Sequence, residues 1–143
     1  MGQDTFADRL KHVAFREACL KHEVEAVEYP CSGSITEARA LGRLLARESG
    51  RPRSFIICSD YIAAGFIRGL ADEGISIPED AAVVGVDGTA MGEFSTPALT
   101  TIAQDCPQLM VRSIELLLKK NENKDMPAKE IFLPTQLIVR ESA

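Results

Sequence analysis

SFIICSDYIAAGFIRGLADEGISIPEDAAVVGVDG, residues 54–88, sets out a strand, a helix and a second strand in one uninterrupted run. Phe55 to Cys58 is an apolar stretch too short for a helix. From Asp60 onward the apolar residues Ala63, Phe66, Ile67 and Leu70 recur at helical spacing. The pattern predicts a buried strand feeding an amphipathic helix. Gly74 stands where a helix stop is expected, Pro78 follows, and Ala82 to Val86 forms a second apolar run closed by Asp87 and Gly88. A strand, a crossover helix and a strand make a βαβ unit, which requires parallel strands. In open parallel sheets small ligands bind beyond the carboxyl ends of the strands, so Ser59, Asp60 and Asp87 emerge where binding is expected.

The rest of the chain is consistent with one soluble α/β domain. Its 143 residues are 45% hydrophobic and 26% charged, enough for a real core. No apolar run approaches the roughly 18 residues of a membrane span. The amino end lacks an apolar signal core. Met1-Gly2 is not followed by the Ser or Thr of a myristoylation signal, because Phe6 stands at that position. The expected location is therefore the cytoplasm. A net charge of −5 argues against a broad phosphate-binding surface. Four cysteines, at 19, 31, 58 and 106, form no CxxC pair, and His12 and His22 have no sequence-adjacent catalytic partner. Neither a metal nor a cofactor is expected. Cys19 and Cys58 read as small core hydrophobes.

Outside the opening run, Leu10, Ala14 and Ala18, with Phe15 and Cys19 beside them, predict a helix from about Asp4 to Lys21. Val24 to Tyr29 alternates apolar and acidic residues and predicts a half-buried strand. Ser34 with Glu37 makes a capping box ahead of Ala38, Leu41 and Leu45, hence a second helix. GTAMGEFSTPA after Asp87 is small and polar and reads as a surface loop. Leu99 to Ile102 predicts a strand. Pro107 opens a helix with Met110, Ile114 and Leu117 on one stripe, and Ile131–Leu133 and Leu137–Val139 read as closing strands.

Three blocks carry a family resemblance. SDYIAAGFIRGLADEGISIPEDAAVVGVDG, then FSTPALTTIAQ from Phe94 to Gln104, then LPTQLIVRES from Leu133 to Ser142, resemble the effector-binding domain of lactose-repressor-type (LacI/GalR) transcription regulators in order and spacing. RLKHVAFREACLKHEVE, from Arg9, resembles more loosely the helix after the first strand of that domain's distal subdomain. The resemblance implies a periplasmic-binding-protein-like type I fold, a parallel-sheet three-layer α/β sandwich, represented mainly by its distal, C-terminal subdomain. It divides the chain into a distal core at 1–98, a crossover strand and helix of the proximal subdomain at 99–128, and closing strands at 129–143. It also implies a fragment of a longer protein, or a chain that persists only by pairing or exchanging elements with a second copy, since a strand that the family places inside the sheet has no counterpart here.

The site residues implied by the resemblance are few. Asp87 matches the acidic residue of the VGxD segment that accepts hydrogen bonds from effector, and an ionised carboxylate suits paired sugar hydroxyls. The same residue could equally be a turn aspartate bonding its own loop. Ser59 stands where the family often has Asn, and a hydroxyl offers less than an amide. Lys11 falls at the position of an effector-contacting Arg, with Arg9 two residues earlier; lysine supplies a point charge rather than a planar fork. A solvated helix face explains either cation as well. Asp60 reads as the N-cap of its helix. Phe94 is a candidate for ligand stacking and for the subunit contact, with Tyr61 and Phe66 also assigned to a homodimer interface.

The expected function is therefore ligand sensing and dimerisation in a transcription regulator. The effector would be a small molecule, a sugar or related metabolite, and DNA would be contacted only through a headpiece that this chain does not contain. A periplasmic sugar-binding protein of a transport system shares the fold and is the alternative. No P-loop, GxGxxG or GxSxG elbow supports an enzyme.

Overall fold

A computed structural model describes residues 6–31 and 33–143, with side chains of the first helix from residue 9 onward. The expected helix start at Asp4 and the Met1-Gly2 positions lie outside the described residues. Nine elements follow in chain order: α1 (Phe6–Lys21), α2 (Ile35–Ala46), β1 (Ser54–Ile56), α3 (Asp60–Asp72), β2 (Ala82–Asp87), α4 (Ala90–Phe94), β3 (Thr100–Gln104), α5 (Cys106–Glu122) and β4 (Thr135–Ile138).

The βαβ unit of residues 54–88 forms the centre. β1 and β2 are parallel with Phe55 opposite Val83, β2 and β3 are parallel with Val84 opposite Thr100, and β4 closes the sheet antiparallel with Gln104 opposite Thr135. The spatial order β1-β2-β3-β4 makes a mixed four-stranded sheet flanked by helices. Parallel pairing puts the carboxyl ends of β1, β2 and β3 on one edge, which is where Ser59, Asp87 and Gln104 emerge.

The core lies between the sheet and the α2–α3 pair. Ala63, Phe66, Ile67 and Leu70 of α3 pack with Ala38 and Leu45 of α2 and with Phe55, Val83 and Leu99 below. The α3 stripe is therefore buried at the spacing its sequence sets, and each fully buried Leu contributes about 1.5–3 kcal/mol. The two helices approach backbone to backbone at glycines. A Cβ on Gly65 would lie 2.4 Å from the Ile35 carbonyl oxygen, and one on Gly69 would lie 2.2 Å from that of Arg39. Phe66, expected at a subunit interface, is only 3% exposed, and its ring stands 4.9 Å from that of Phe55. It belongs to the core, because α3 turns its apolar stripe toward its own sheet.

Ion pairs flank the glycine seam. Arg39 donates to Asp72 at 2.6 Å, Arg47 donates to Glu73 at 2.8 Å, and Arg43 reaches Glu73 at 3.2 Å. Hydrogen bonding from Arg39 holds the Asp72 carboxyl below its ordinary value of 3.8, and hydrogen bonds from Arg47 and Arg43 hold Glu73 below 4.5. A carboxyl whose folded-state value is depressed stabilises the fold at pH values above its unfolded value. That contribution is lost as pH falls through the lower folded value. Stability should thus be level above about pH 4.5 and decline below it, and the decline should be shallower in an Arg39→Gln, Arg47→Gln variant. Urea unfolding from pH 6 to pH 3 measures this; parallel curves for the two proteins would contradict it.

Three expectations fail in instructive ways. Residues 24–29 form no strand: Val24 and Val27 are exposed and Tyr29 alone of that run packs against the core, so the alternation never meets a sheet edge. Ile131–Leu133 also forms no strand, and the closing strand is Thr135–Ile138. β1 stops at Ile56, leaving Cys58 in the loop after it, half-buried. β3 pairs with β2 through Thr100–Ala103, directly after the division expected at residue 98. The helix that follows does stand apart: α5 buries none of its residues, and Met110, Ile114 and Leu117 are all exposed.

At the amino ends of β2 and β3 the carboxyl-terminal residues close the sheet. Ser142 is 0% exposed; its Oγ donates to the Val83 carbonyl at 2.6 Å and accepts from the Thr100 amide at 2.9 Å. The Val83 amide donates in turn to the Ser142 carbonyl at 2.8 Å. Arg140 donates through Nη1 to the Leu99 carbonyl at 2.8 Å.

Candidate functional site

β2 ends in an unusual backbone. Asp87 has φ of 117° and Gly88 φ of 71°, two consecutive residues in the region that side chains avoid. For Asp87 this costs about 1–3 kcal/mol and persists only because the surroundings hold it. The geometry brings the carboxylate to the carboxyl edge of the sheet, one-third exposed.

Two side chains converge on it. Gln104, at the end of the neighbouring strand, donates from Nε2 to Asp87 Oδ1 at 3.1 Å. Lys11 of α1 places its ammonium 4.0 Å from the same oxygen and donates to the Cys58 carbonyl at 2.8 Å. Lys11 thereby links α1, the end of β1 and the end of β2. Its partial exposure leaves the Asp87–Lys11 attraction screened by water, so the pair does more to concentrate polar groups than to stabilise the fold. Ser59 follows Cys58 at the N-cap position of α3, half-buried, and its hydroxyl makes no capping bond. Donors of both kinds, an ammonium and an amide, thus surround one carboxylate: a set suited to a ligand with several hydroxyls.

The other expected residues are placed less centrally. Arg9 is exposed on α1, and the cation drawn to Asp87 is Lys11. Phe94 ends α4 and is 83% exposed, while Tyr61 on the first turn of α3 is 48% exposed. Asp60 corrects its expected role. The N-cap position is held by Ser59, and the Asp60 carboxylate accepts instead from Thr89 and Thr101. Gln104, Thr89 and Thr101 were not singled out in the sequence, although Gln104 ends a strand at the same edge as Asp87 and carried that signal. A cleft of about 170 Å³ begins at Gln104 and runs along Leu109, Ile131 and Phe132 to Thr135. Among the described residues no group of His, Cys, Asp and Glu is placed to hold a metal ion, and no helix is long and apolar enough to cross a membrane.

A mixed sheet flanked by helices, with polar side chains gathered at the carboxyl ends of its parallel strands, defines a periplasmic-binding-protein-like domain. The sequence profile of that description matches residues 2–143, and the chain belongs to this family; the relatives it matches are lactose-repressor-type transcription regulators. It is 31% identical over 132 residues to the ribose operon repressor of Halalkalibacterium halodurans, covering 92% of this chain and 40% of that protein. It is 34% identical over 102 residues to the repressor PurR of Mannheimia succiniciproducens, covering 71% of this chain and 30% of that one. Among solved structures, the complex of the regulator CelR with cellobiose superposes with a TM-score of 0.87 at 28% identity, over 99% of this chain and 44% of that chain. A LacI-family regulator of Arthrobacter sp. FB24 with lactose gives 0.82 at 26% identity, over 90% and 48%. The chain therefore spans less than half the length of these relatives.

Proposed function

We propose that these residues form the effector-sensing and dimer-forming part of a cytoplasmic lactose-repressor-type regulator, with Asp87 as the acceptor for effector hydroxyls and Lys11, Ser59 and Gln104 around it. The observation that carries the reading is the convergence of Lys11 and Gln104 on Asp87 at the carboxyl edge of the sheet. A sugar or related metabolite is the favoured effector class. The carboxylate and its ring of donors suit hydroxyls, and relatives are held with cellobiose and lactose. Arg9 extends the cationic side of the site. Phe94, exposed at the end of α4, is assigned to stacking on the effector and, with Tyr61, offers aromatic surface for a second copy. DNA would be contacted through a headpiece outside this chain, and effector and operator would alter each other's affinity reciprocally. No enzymatic step is assigned to these residues.

Calorimetric titration of the full regulator with cellobiose, lactose, sucrose and glucose tests the class. For the sugar that binds, Asp87→Ala should weaken affinity by about 1.5–3 kcal/mol, the scale of a hydrogen bond to a charged group. Asp87→Gly should lose affinity to a similar extent while unfolding no earlier than the parent, because glycine relieves the positive φ. Unchanged affinity in both variants would make Asp87 a loop-former only.

A further inference from the structure

Asp60 is a carboxylate with 0% exposure, placed at the first turn of α3, where the helix dipole favours negative charge. Its oxygens are committed elsewhere. Oδ2 accepts from the Thr89 amide at 2.6 Å and from the Thr89 hydroxyl at 3.0 Å, and Oδ1 accepts from the Thr101 hydroxyl at 2.6 Å. The Thr101 hydroxyl accepts in turn from the Gly88 amide at 3.3 Å. One buried carboxyl group thus holds, directly or through Thr101, the two backbone amides that follow Asp87. The sheet is shaped to admit it: a Cβ on Gly85 would lie 2.3 Å from Asp60 Oδ1 and 2.7 Å from Leu99.

The strained backbone at 87–88 needs such an anchor. Left to itself the turn would relax away from φ of 117°, and the Asp87 carboxylate would leave its place beside Gln104 and Lys11. Two amides fixed from α3 and β3, immediately after the strained residue, prevent this. Leaving buried donors and acceptors such as these unpaired is costly.

We propose that Asp60 and Thr101 are positioning residues for effector binding, acting on the ligand through the conformation they impose on Asp87. The proposal rests on Asp87 being an effector contact, so it is tested in the full regulator by one readout that needs no ligand and one that does. Amide hydrogen exchange at Gly88 and Thr89, referred to the core amide of Leu70 in the same protein, should be at least tenfold faster in Asp60→Asn and in Thr101→Val. Thr101→Ser, which keeps the hydroxyl, should restore protection. Unchanged exchange in both Asp60→Asn and Thr101→Val, or a Thr101→Ser variant as unprotected as the valine, would overturn the clamp. Should Asp60→Asn not fold, the Thr101 pair decides alone.

With cellobiose as the probe, or whichever sugar of the panel binds, Asp60→Asn should weaken affinity about tenfold in the parent and leave it unchanged in an Asp87→Ala background. Losses that add would overturn the action through Asp87. If the parent binds none of these sugars, the effector reading fails while the exchange result still decides whether Asp60 and Thr101 hold the loop.

Discussion

Phe66→Ala should lower the unfolding free energy by about 3–5 kcal/mol, the range for truncating a buried aromatic ring. The ring packs against Phe55 of β1 within the core cluster that also holds Leu70 and Val83, on a helix and a sheet that cannot collapse far into the space it leaves. The outcome also separates two roles. A core residue loses stability to the same extent at every protein concentration, whereas an interface residue shifts the midpoint more in dilute solution. Urea unfolding at two concentrations a hundredfold apart should show equal shifts for Phe66→Ala. A shift that appears only on dilution would return Phe66 to a subunit contact.

Gly69→Ala sets two effects against each other. Alanine gains about 1 kcal/mol of helix propensity over glycine, which by itself would stabilise α3. Against this, the new methyl would sit 2.2 Å from the Arg39 carbonyl oxygen and 3.0 Å from the Arg43 amide nitrogen, backbone atoms that cannot rotate aside. Forcing the helices apart strains a packed core at a cost of about 1–3 kcal/mol or more, and it would lengthen the Arg39–Asp72 and Arg47–Glu73 bonds as well. The net result should be a loss of stability, and a larger one in Gly65→Ala, Gly69→Ala. Gly50, with open space around its Cβ position, gives no such clash. A rise in midpoint for Gly69→Ala would mean that the seam is looser than described.

These two helices show what a sequence discloses. The apolar spacing of Ala63, Phe66, Ile67 and Leu70 named both the helix and its buried face, since periodicity is a local signal. It could not say what that face meets, and the assignment of Phe66 to a partner subunit went astray for that reason. Gly65 and Gly69 did carry a legible sign: two glycines four apart in a helix are destabilising unless a neighbour comes close. At the site, Asp87 and Lys11 were legible through the strand-end rule and the family resemblance, and the structure brings them together. Asp60 was not. Its position at a helix start is equally compatible with capping, and its true partners, Thr89 and Thr101, lie 29 and 41 residues away. The failed strand at 24–29 has the converse cause, a sound local pattern with no neighbouring strand to complete it.

Ser142 gives the sheet a late step. The rung it supplies between Val83 and Thr100 joins residues separated by 59 and 42 positions, among the most distant hydrogen bonds in the molecule. Closing loops of that length is slow compared with forming α3 or pairing β1 with β2, whose residues lie nearer in sequence. A nascent chain emerges from its amino end, so β2 and β3 would lie side by side for some time with the Val83 and Thr100 groups open to water or to a stranger. The serine near the end of these residues acts like the tongue of a buckle: α3 and the first strand pair are already in place, and the Val83–Thr100 rung is fastened only when it arrives.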